Sequence, residues 1–208
     1  MTGDQQTSRD LVFVSERVCR EVLTVAEVAE QVERTFHAEA AGKVIYSTPH
    51  VLRMVDTGES RAGGTASFRT KGAILPDLGV AGFRLGASRI AADGSGSASP
   101  LATRLVLLMD IETASPLALV DEHYNYLVRT AASVAVTLKS LVPDHARLGL
   151  VGTGGVGIAV AQVFTEVLPL ESIHVTSRRP ERRHQFAEKM KAELSVPIYP
   201  TDTVDELV

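Results

Sequence analysis

A glycine-rich segment in the last third of the chain has the residue types and the spacing that can hold a diphosphate. The segment consists of Gly152, Thr153, Gly154, Gly155, Val156 and Gly157. In the pattern G-x-G-x-x-G, the first glycine allows a tight turn, the second lets a pyrophosphate approach the backbone, and the third lets a helix pack closely on a strand. The free N–H groups and the positive end of the following helix would then face the phosphates.

The flanking sequence favours a βαβ unit around this segment. An apolar run at 147–151 precedes it, and a second strand-like run at 173–177 follows. Between them, apolar residues recur at helical spacing, at Val156, Val160, Val163, Phe164 and Val167. A glycine-rich turn can also join a strand to a helix without binding a ligand. The two strands and the helix favour a dinucleotide site over that alternative.

The residues after the second strand-like run bear on which dinucleotide is bound. An acidic residue about 20 positions after the glycines would bind the ribose hydroxyls of NAD, but Ser177, Arg178 and Arg179 stand there. Two guanidiniums and a hydroxyl suit a 2′-phosphate, because charge-assisted hydrogen bonds contribute about 1.5–3 kcal/mol each. The sequence therefore predicts NADP(H) as the preferred cofactor and NAD(H) as the second choice. The alternative is a solvated turn before a helix that Pro180 begins, continued as a charged surface by Glu181, Arg182 and Arg183.

The composition excludes several classes of function. The 208 residues are 45% hydrophobic, enough to bury a core, and a net charge of −4 gives no indication of nucleic-acid binding. No run of residues reaches the apolar length of a membrane span. The single cysteine, Cys19, excludes an intramolecular disulfide and fits a reducing, cytoplasmic setting. No spacing of His, Cys and carboxylate residues indicates a metal site.

Local signals outline the elements that must position these residues. Leu11–Val14 is predicted as a short strand, and Ser15 can cap a short helix after it. Thr24 and Glu27 form a capping box for a longer helix that should end by Gly42. Short apolar runs that alternate with turn residues then predict a mostly antiparallel sheet. These runs lie at 51–55, 65–68, 80–85, 105–109 and 117–120.

A helix predicted over 124–141 precedes a domain boundary near Asp144. A doubly wound sheet needs a second half to form its crevice, and the glycine segment begins only the first half. A capping box at Thr203 and Glu206 would open a helix just before the last residue. We therefore expect the sequence to be part of a longer protein, or else a half-domain that a partner completes. The predicted parts are a polar tail at 1–10, a first domain at 11–143, and a partial Rossmann domain at 144–208.

Two further stretches resemble the ornithine cyclodeaminase/mu-crystallin family. They are the run Leu107–Leu119, a strand that ends in Asp before a turn, and the run Leu127–Ala132, which contains Arg-Thr-Ala-Ala ahead of the glycines. The resemblance implies an α/β fold with two domains. The first is an α+β substrate and dimerisation domain with an open, mostly antiparallel sheet, and the second is a Rossmann domain. It also implies a homodimer and an active site in the cleft between the domains.

The resemblance also implies site residues. Arg129 matches the arginine that binds the substrate carboxylate and approaches the cofactor, and Thr130 beside it could hold a cofactor phosphate. Arg53 matches a second carboxylate-binding arginine. Arg84 stands where the family usually has a catalytic lysine, in a Gly-Val-Lys motif. The catalytic aspartate of the family would lie beyond residue 208.

Arginine in place of lysine changes the chemistry available at position 84. A buried lysine can lose and transfer its proton, whereas arginine stays charged and offers a planar fork for a carboxylate. Arg84 therefore argues against cyclodeaminase chemistry more than against hydride transfer, and it suggests a substrate with extra anionic character. The alternative for Arg53 and Arg84 is an ion pair with a surface acid.

Three functions follow from these features. The first is an NADPH-dependent oxidoreductase that acts on a small α-imino or α-amino acid, as a ketimine reductase or an amino-acid dehydrogenase does. The second is a cyclodeaminase-type ammonia lyase, in which the cofactor oxidises the amine only transiently. The third is a protein of the crystallin kind that binds NADPH without catalysis.

Overall fold

The computed structural model describes residues 11–55, 64–90 and 103–207. These residues fall into two compact units, which are treated separately below. The first comprises the described parts of Met1–Cys19 and Ala38–His123, and the second those of Arg20–His37 and Tyr124–Val208. The predicted division at 143/144 stays a prediction, and the predicted polar tail at 1–10 lies outside the described residues.

The first unit is built on one seven-stranded sheet. Its strand order is β1-β7-β6-β5-β4-β2, and β3 also pairs with β4. Only the pair β1–β7 is parallel, so the predicted open and mostly antiparallel sheet is confirmed. The strands are β1 (Val12–Val14), β2 (Ile45–Tyr46), β3 (His50–Val55), β4 (Thr65–Leu75), β5 (Val80–Ile90), β6 (Arg104–Asp110) and β7 (Pro116–Asp121).

Alternation of side chains gives this sheet two unlike faces. Residues that pair across neighbouring strands point to the same face, and residues two apart along a strand do so as well. One face, here the apolar face, carries large exposed hydrophobic side chains at Leu52, Met54, Phe68, Phe83 and Leu85. The opposite face, here the basic face, carries Arg53, Arg69, Lys71, Arg84 and Arg104.

The second unit contains a three-stranded parallel sheet of order β10-β9-β8. Two helices form right after β8 and β9, so the chain runs β-α-β-α-β as in the first half of a doubly wound sheet. The predicted βαβ unit is therefore confirmed. Its elements are β8 (Ala146–Val151), α4 (Gly155–Val167), β9 (Leu170–Thr176), α5 (Pro180–Glu193) and β10 (Ile198–Pro200).

Three more helices precede the segment β8–β10 along the chain: α1 (Glu16–Val22), α2 (Val25–Ala40) and α3 (His123–Leu138). The predicted capping box starts α2, because the Glu27 N–H donates to the Thr24 hydroxyl at 3.2 Å and the Thr24 N–H donates to the Glu27 carboxylate at 2.9 Å. The Thr24 hydroxyl also donates to the Glu27 carboxylate at 2.7 Å, and this hydrogen bond, together with the one from the Thr24 N–H, lowers the pKa of Glu27. None of the described helices combines the length and the apolar character needed to cross a membrane.

Small residues on α3 allow the helices of the second unit to pack closely. Ala131, Ala132 and Ala135 are fully buried, in one cluster with Val163 and Phe164 of α4. A second cluster joins the parallel sheet to α4 and α5. It contains Leu150, Ala161, Ile173, Val175, Phe186, Ala187, Met190 and Ile198. The two clusters pack α4 against α3 and against one face of the sheet, and they fix the position of the segment between β8 and α4.

Candidate functional site

The glycine segment forms the turn between β8 and α4. Gly152 has a φ of 108°, a backbone conformation in which a residue with a side chain would be strained. Its N–H donates to the carbonyl of Thr176 at 2.8 Å, which ties the turn to the end of β9. The first glycine therefore has the role that the sequence predicts for it.

Gly154 and Gly157, the second and third glycines of the G-x-G-x-x-G pattern, have opposite surroundings. A Cβ on Gly157 would collide with the carbonyl oxygen of Gly152, so the start of α4 approaches the turn as closely as backbone permits. A Cβ on Gly154 would meet no atom within 4 Å, and its φ of −82° is accessible to any residue. Packing therefore explains Gly157 but not Gly154, whose bare backbone borders open space at the amino end of α4.

The basic turn after β9 lies at the same edge of the sheet, because β8 and β9 are parallel neighbours. Arg178 and Arg179 are exposed, and the Ser177 hydroxyl donates to the carbonyl of Arg179 at 3.0 Å. The helix α5 begins at Pro180, as predicted. Both guanidiniums thus stand on the surface beside the glycine turn.

Arg183 is not part of the exposed charged surface that the alternative interpretation of this turn predicts. Its side chain is 9% exposed and forms an ion pair with Asp202, after β10. It also donates to the Asp202 carbonyl at 3.4 Å. The pair joins α5 to the end of the third strand, so the role of Arg183 is structural. Asp202 lies 19 residues away, and no local pattern indicates the contact.

Arg129 and Thr130 lie on α3, in the second unit. The guanidinium carbon of Arg129 lies 5.0 Å from the centre of the Tyr126 ring, a cation–π contact. Arg129 also lines a cavity of about 450 Å³ between α2 and α3, whose walls are mostly apolar and include Leu23, Val28 and Phe36. An ion pair with an organic acid is stronger in such surroundings than in water.

The Thr130 hydroxyl is engaged within its own helix. It donates to the carbonyl of Tyr126 at 2.5 Å. A phosphate oxygen accepts hydrogen bonds, so holding one would require this hydroxyl to leave Tyr126. The cofactor role of Thr130 stays a prediction.

Arg84 and Arg53 share the basic face of the first unit. Lys71 of β4 pairs with Arg84, and Ser67 of the same strand pairs with Arg53, so one strand separates the two arginines. The Nε of Arg84 forms an ion pair with Glu122, whose side chain is only 7% exposed. The sequence reasoning missed Glu122, because only the register of β5, β6 and β7 brings it to this face.

His123 is held at the start of α3 by Asp121. One carboxylate oxygen of Asp121 lies 2.6 Å from the His123 Nδ1 and accepts the His123 N–H at 3.0 Å. Burial raises the pKa of Asp121, but these hydrogen bonds outweigh it, and the net pKa lies below its ordinary value. The arrangement is that of a helix cap. Across the described ranges, no group of three or more His, Cys, Asp or Glu residues is arranged to hold a metal ion.

The model of the ornithine cyclodeaminase/mu-crystallin family matches residues 9–208. Among curated relatives, a Delta(1)-pyrroline-2-carboxylate reductase of Bacillus cereus is 29% identical over 105 residues, which are 50% of this chain and 32% of the relative. The chain thus matches about a third of that relative's length.

Two solved structures have a similar fold. The Delta(1)-pyrroline-2-carboxylate reductase of Thermococcus litoralis, in complex with NADH and L-proline, has a TM-score of 0.78 at 22% identity, over 95% of this chain and 58% of that one. An archaeal alanine dehydrogenase dimer with bound NAD has a TM-score of 0.76 at 20% identity, over 92% of this chain and 56% of that one. At these identities the likeness concerns the fold.

Proposed function

The chain belongs to the ornithine cyclodeaminase/mu-crystallin family, and on that premise we propose that the protein is an oxidoreductase of small α-imino or α-amino acids. The glycine turn is the observation that carries the proposal. Gly152 is required by its φ of 108° and Gly157 by the nearby carbonyl of Gly152, whereas Gly154 has no structural need to lack a side chain. A pyrophosphate that approaches the backbone at Gly154 would leave no room for a side chain there.

The residues present fit a nicotinamide dinucleotide. Backbone N–H groups at the start of α4 would hold the pyrophosphate, since Gly154, the cap residue, offers them no side-chain acceptor. The cofactor, when bound, supplies or accepts the hydride. The chain's own task is to orient the acid, because hydride transfer requires the reacting carbon to be placed against the nicotinamide ring.

We assign the binding of the substrate carboxylate to Arg129, with Arg53 and Arg84 as further substrate-binding residues. A guanidinium pairs with a carboxylate through two parallel hydrogen bonds, which fix orientation as well as position. Arg84 stays charged, so it clamps an anion but does not donate a proton. The ion pair with buried Glu122 holds the Arg84 guanidinium on the basic face.

The function is tested by incubating the protein with NADPH or NADH and a panel of cyclic and linear α-imino acids. We expect stoichiometric oxidation of the nicotinamide as the amino acid forms, followed spectrophotometrically. A lyase of the cyclodeaminase type would release ammonia from an amino acid with no net change in the nicotinamide. Binding of NADPH without turnover of any acid would instead favour a non-catalytic protein.

NADP(H) is the proposed preferred cofactor, on the basis of Arg178 and Arg179. Replacing both with alanine is expected to weaken NADPH binding by about tenfold to a hundredfold for each hydrogen bond lost, and to change NADH binding little. Dissociation constants from nicotinamide fluorescence measure both. Arg182→Ala is the matched control, because Arg182 is an exposed arginine one turn further along. Equal losses for the two cofactors would contradict the assignment.

The proposed partner is a second copy of this chain, docked on the apolar face. Side chains at Leu52, Phe68 and Met54 are 72%, 51% and 49% exposed, and contiguous apolar surface of this kind typically marks an interface. Leu52→Glu is expected to shift the protein from dimer to monomer in sedimentation experiments. The control is Val51→Glu, on the opposite face of the same strand and 47% exposed. Loss of the dimer in both variants, or in neither, would count against this interface.

We also propose a cytoplasmic setting, in which Cys19 stays reduced. The residue is 2% exposed, and its thiol donates to the Asp121 carbonyl at 3.6 Å. A buried thiol with such a contact is part of the packing and not a reactive group.

A further inference from the structure

We propose that the substrate carries a second carboxylate, which binds above Gly86 on the basic face, between Arg69 and Arg104. This inference rests on the proposed oxidoreductase function and adds the substrate class. It concerns two arginines and a glycine that neither the sequence motifs nor the family comparison assigns a role.

A row of three residues across the sheet forms the site. Arg69 of β4 pairs with Gly86 of β5, and Gly86 pairs in turn with Arg104 of β6. Neighbouring strands lie about 4.8 Å apart, so the two arginine backbones flank the glycine at a separation of about 10 Å. Both side chains rise from the same face, with Arg84 two residues from Gly86 along β5. A carboxylate above Gly86 would therefore lie between Arg69 and Arg104, on the face that also carries Arg84.

The space above Gly86, the middle residue of this row, is open. A Cβ built on Gly86 meets no atom within 4 Å. The residue lies inside β5 and its φ is outside the left-handed region, so the backbone conformation does not require glycine. A missing side chain in the middle of a strand leaves a hollow, and this hollow lies between two cationic side chains.

Cations outnumber acids among the described residues of the basic face. The strands place five cations on this face, but within the described ranges only Glu122 and Asp110 are acids on it. Glu122 pairs with Arg84, and Asp110 lies at the far end of β6, where its carboxylate accepts the Thr113 N–H at 2.7 Å. Arg69, Arg53 and Lys71 form no ion pair with any described acid. One bound carboxylate would not balance the charges of Arg69, Arg53 and Lys71 together, whereas a second one beside Arg69 adds a partner for it.

A buried hydroxyl adds an independent indication. Ser67 precedes Arg69 by two residues on the same face and is 8% exposed. Its hydroxyl oxygen has no hydrogen-bond partner among the described atoms. A buried hydroxyl without a partner is destabilising, whereas an anion on this face can accept its hydrogen bond. The chemistry that fits two guanidinium forks and a hydroxyl is a carboxylate of an imino dicarboxylic acid.

The first experiment compares the kcat/KM values for an α-imino dicarboxylate and for the imino monocarboxylate of the same chain length. The wild type is expected to prefer the dicarboxylate by about tenfold to a hundredfold, the effect of one charge-assisted hydrogen bond. Arg69→Gln, Arg104→Gln and Gly86→Val are each expected to lower this ratio toward one. Arg89→Gln is the control, because it removes the same charge from the opposite face of β5. An unchanged ratio in the first three variants would overturn the inference.

A second experiment measures binding without turnover. Succinate, butyrate and inorganic phosphate are compared for their effect on the thermal unfolding temperature of the wild type and of Gly86→Val. Stabilisation by succinate above the other two, lost in Gly86→Val, supports the inference, and equal stabilisation by phosphate overturns it. Selective succinate binding without reduction of any imino acid would refute the oxidoreductase but leave the anion site standing. Reduction of the imino dicarboxylate and the imino monocarboxylate with equal kcat/KM would support the oxidoreductase and overturn the second carboxylate site.

Discussion

Replacing Arg129 with alanine is expected to lower kcat/KM for the imino acid by about a hundredfold to ten-thousandfold. The guanidinium is proposed to form two charge-assisted hydrogen bonds with the substrate carboxylate, at about 1.5–3 kcal/mol each, and both are lost. No other described arginine or lysine lines the cavity beside Arg129, so no second cation there replaces the lost guanidinium.

Two controls separate this effect from a loss of stability. The cation–π contact of Arg129 with Tyr126 contributes about 0.5–1 kcal/mol to folding, so the alanine variant should remain folded in thermal denaturation. Arg129→Lys keeps the charge but lacks the planar fork, and it should recover only part of the activity. A Michaelis constant unchanged in the alanine variant would contradict the carboxylate role.

Replacing Gly157 with alanine is expected to lower the free energy of unfolding by about 1–3 kcal/mol and to abolish cofactor binding. The new methyl group would collide with the Gly152 carbonyl oxygen, and backbone cannot move aside as a flexible side chain can. Relief of the collision displaces the start of α4 from the turn, and the N–H groups that would face the pyrophosphate move with it. Chemical denaturation and cofactor titration measure the two effects.

Gly154→Ala provides the matched comparison for this prediction. Its methyl group would meet no protein atom within 4 Å, so stability should be preserved. Cofactor affinity should nevertheless fall, because the methyl group occupies the space through which the pyrophosphate approaches the backbone. The glycine turn would lose its functional interpretation if Gly154→Ala bound the cofactor as tightly as the wild type.

The parts of the fold that the sequence predicts are those set by neighbouring residues. The capping box of Thr24 and Glu27, the strand–turn–helix around the glycine segment, and the helix that begins at Pro180 all depend on contacts within a few positions. Short apolar runs likewise predict β1, β3, β6 and β7 and the first parts of β4 and β5, but not β2. Local hydrogen bonding and backbone preference favour these elements, and the fold agrees with those preferences.

The features that escaped prediction depend on residues far apart in the chain. Glu122 meets Arg84 across 38 positions, through the register of three strands. Arg69 and Arg104 flank Gly86 only because β4 and β6 both pair with β5. A lone sequence shows that these residues are charged but not which of them become neighbours. Burial of Arg183 against Asp202 has the same cause, since it depends on the return of β10 to the sheet.

The two-faced sheet has a consequence for how this protein can change over evolutionary time. Neighbouring positions along β4, such as Phe68 and Arg69, project to opposite sides. Point mutations can therefore tune self-association and ligand preference independently, one codon apart. A single inserted or deleted residue would exchange the sides for every position downstream in the strand, and both properties would be lost together. Lineages should accordingly accept length variation in the connecting turns and reject it within β4 and β5.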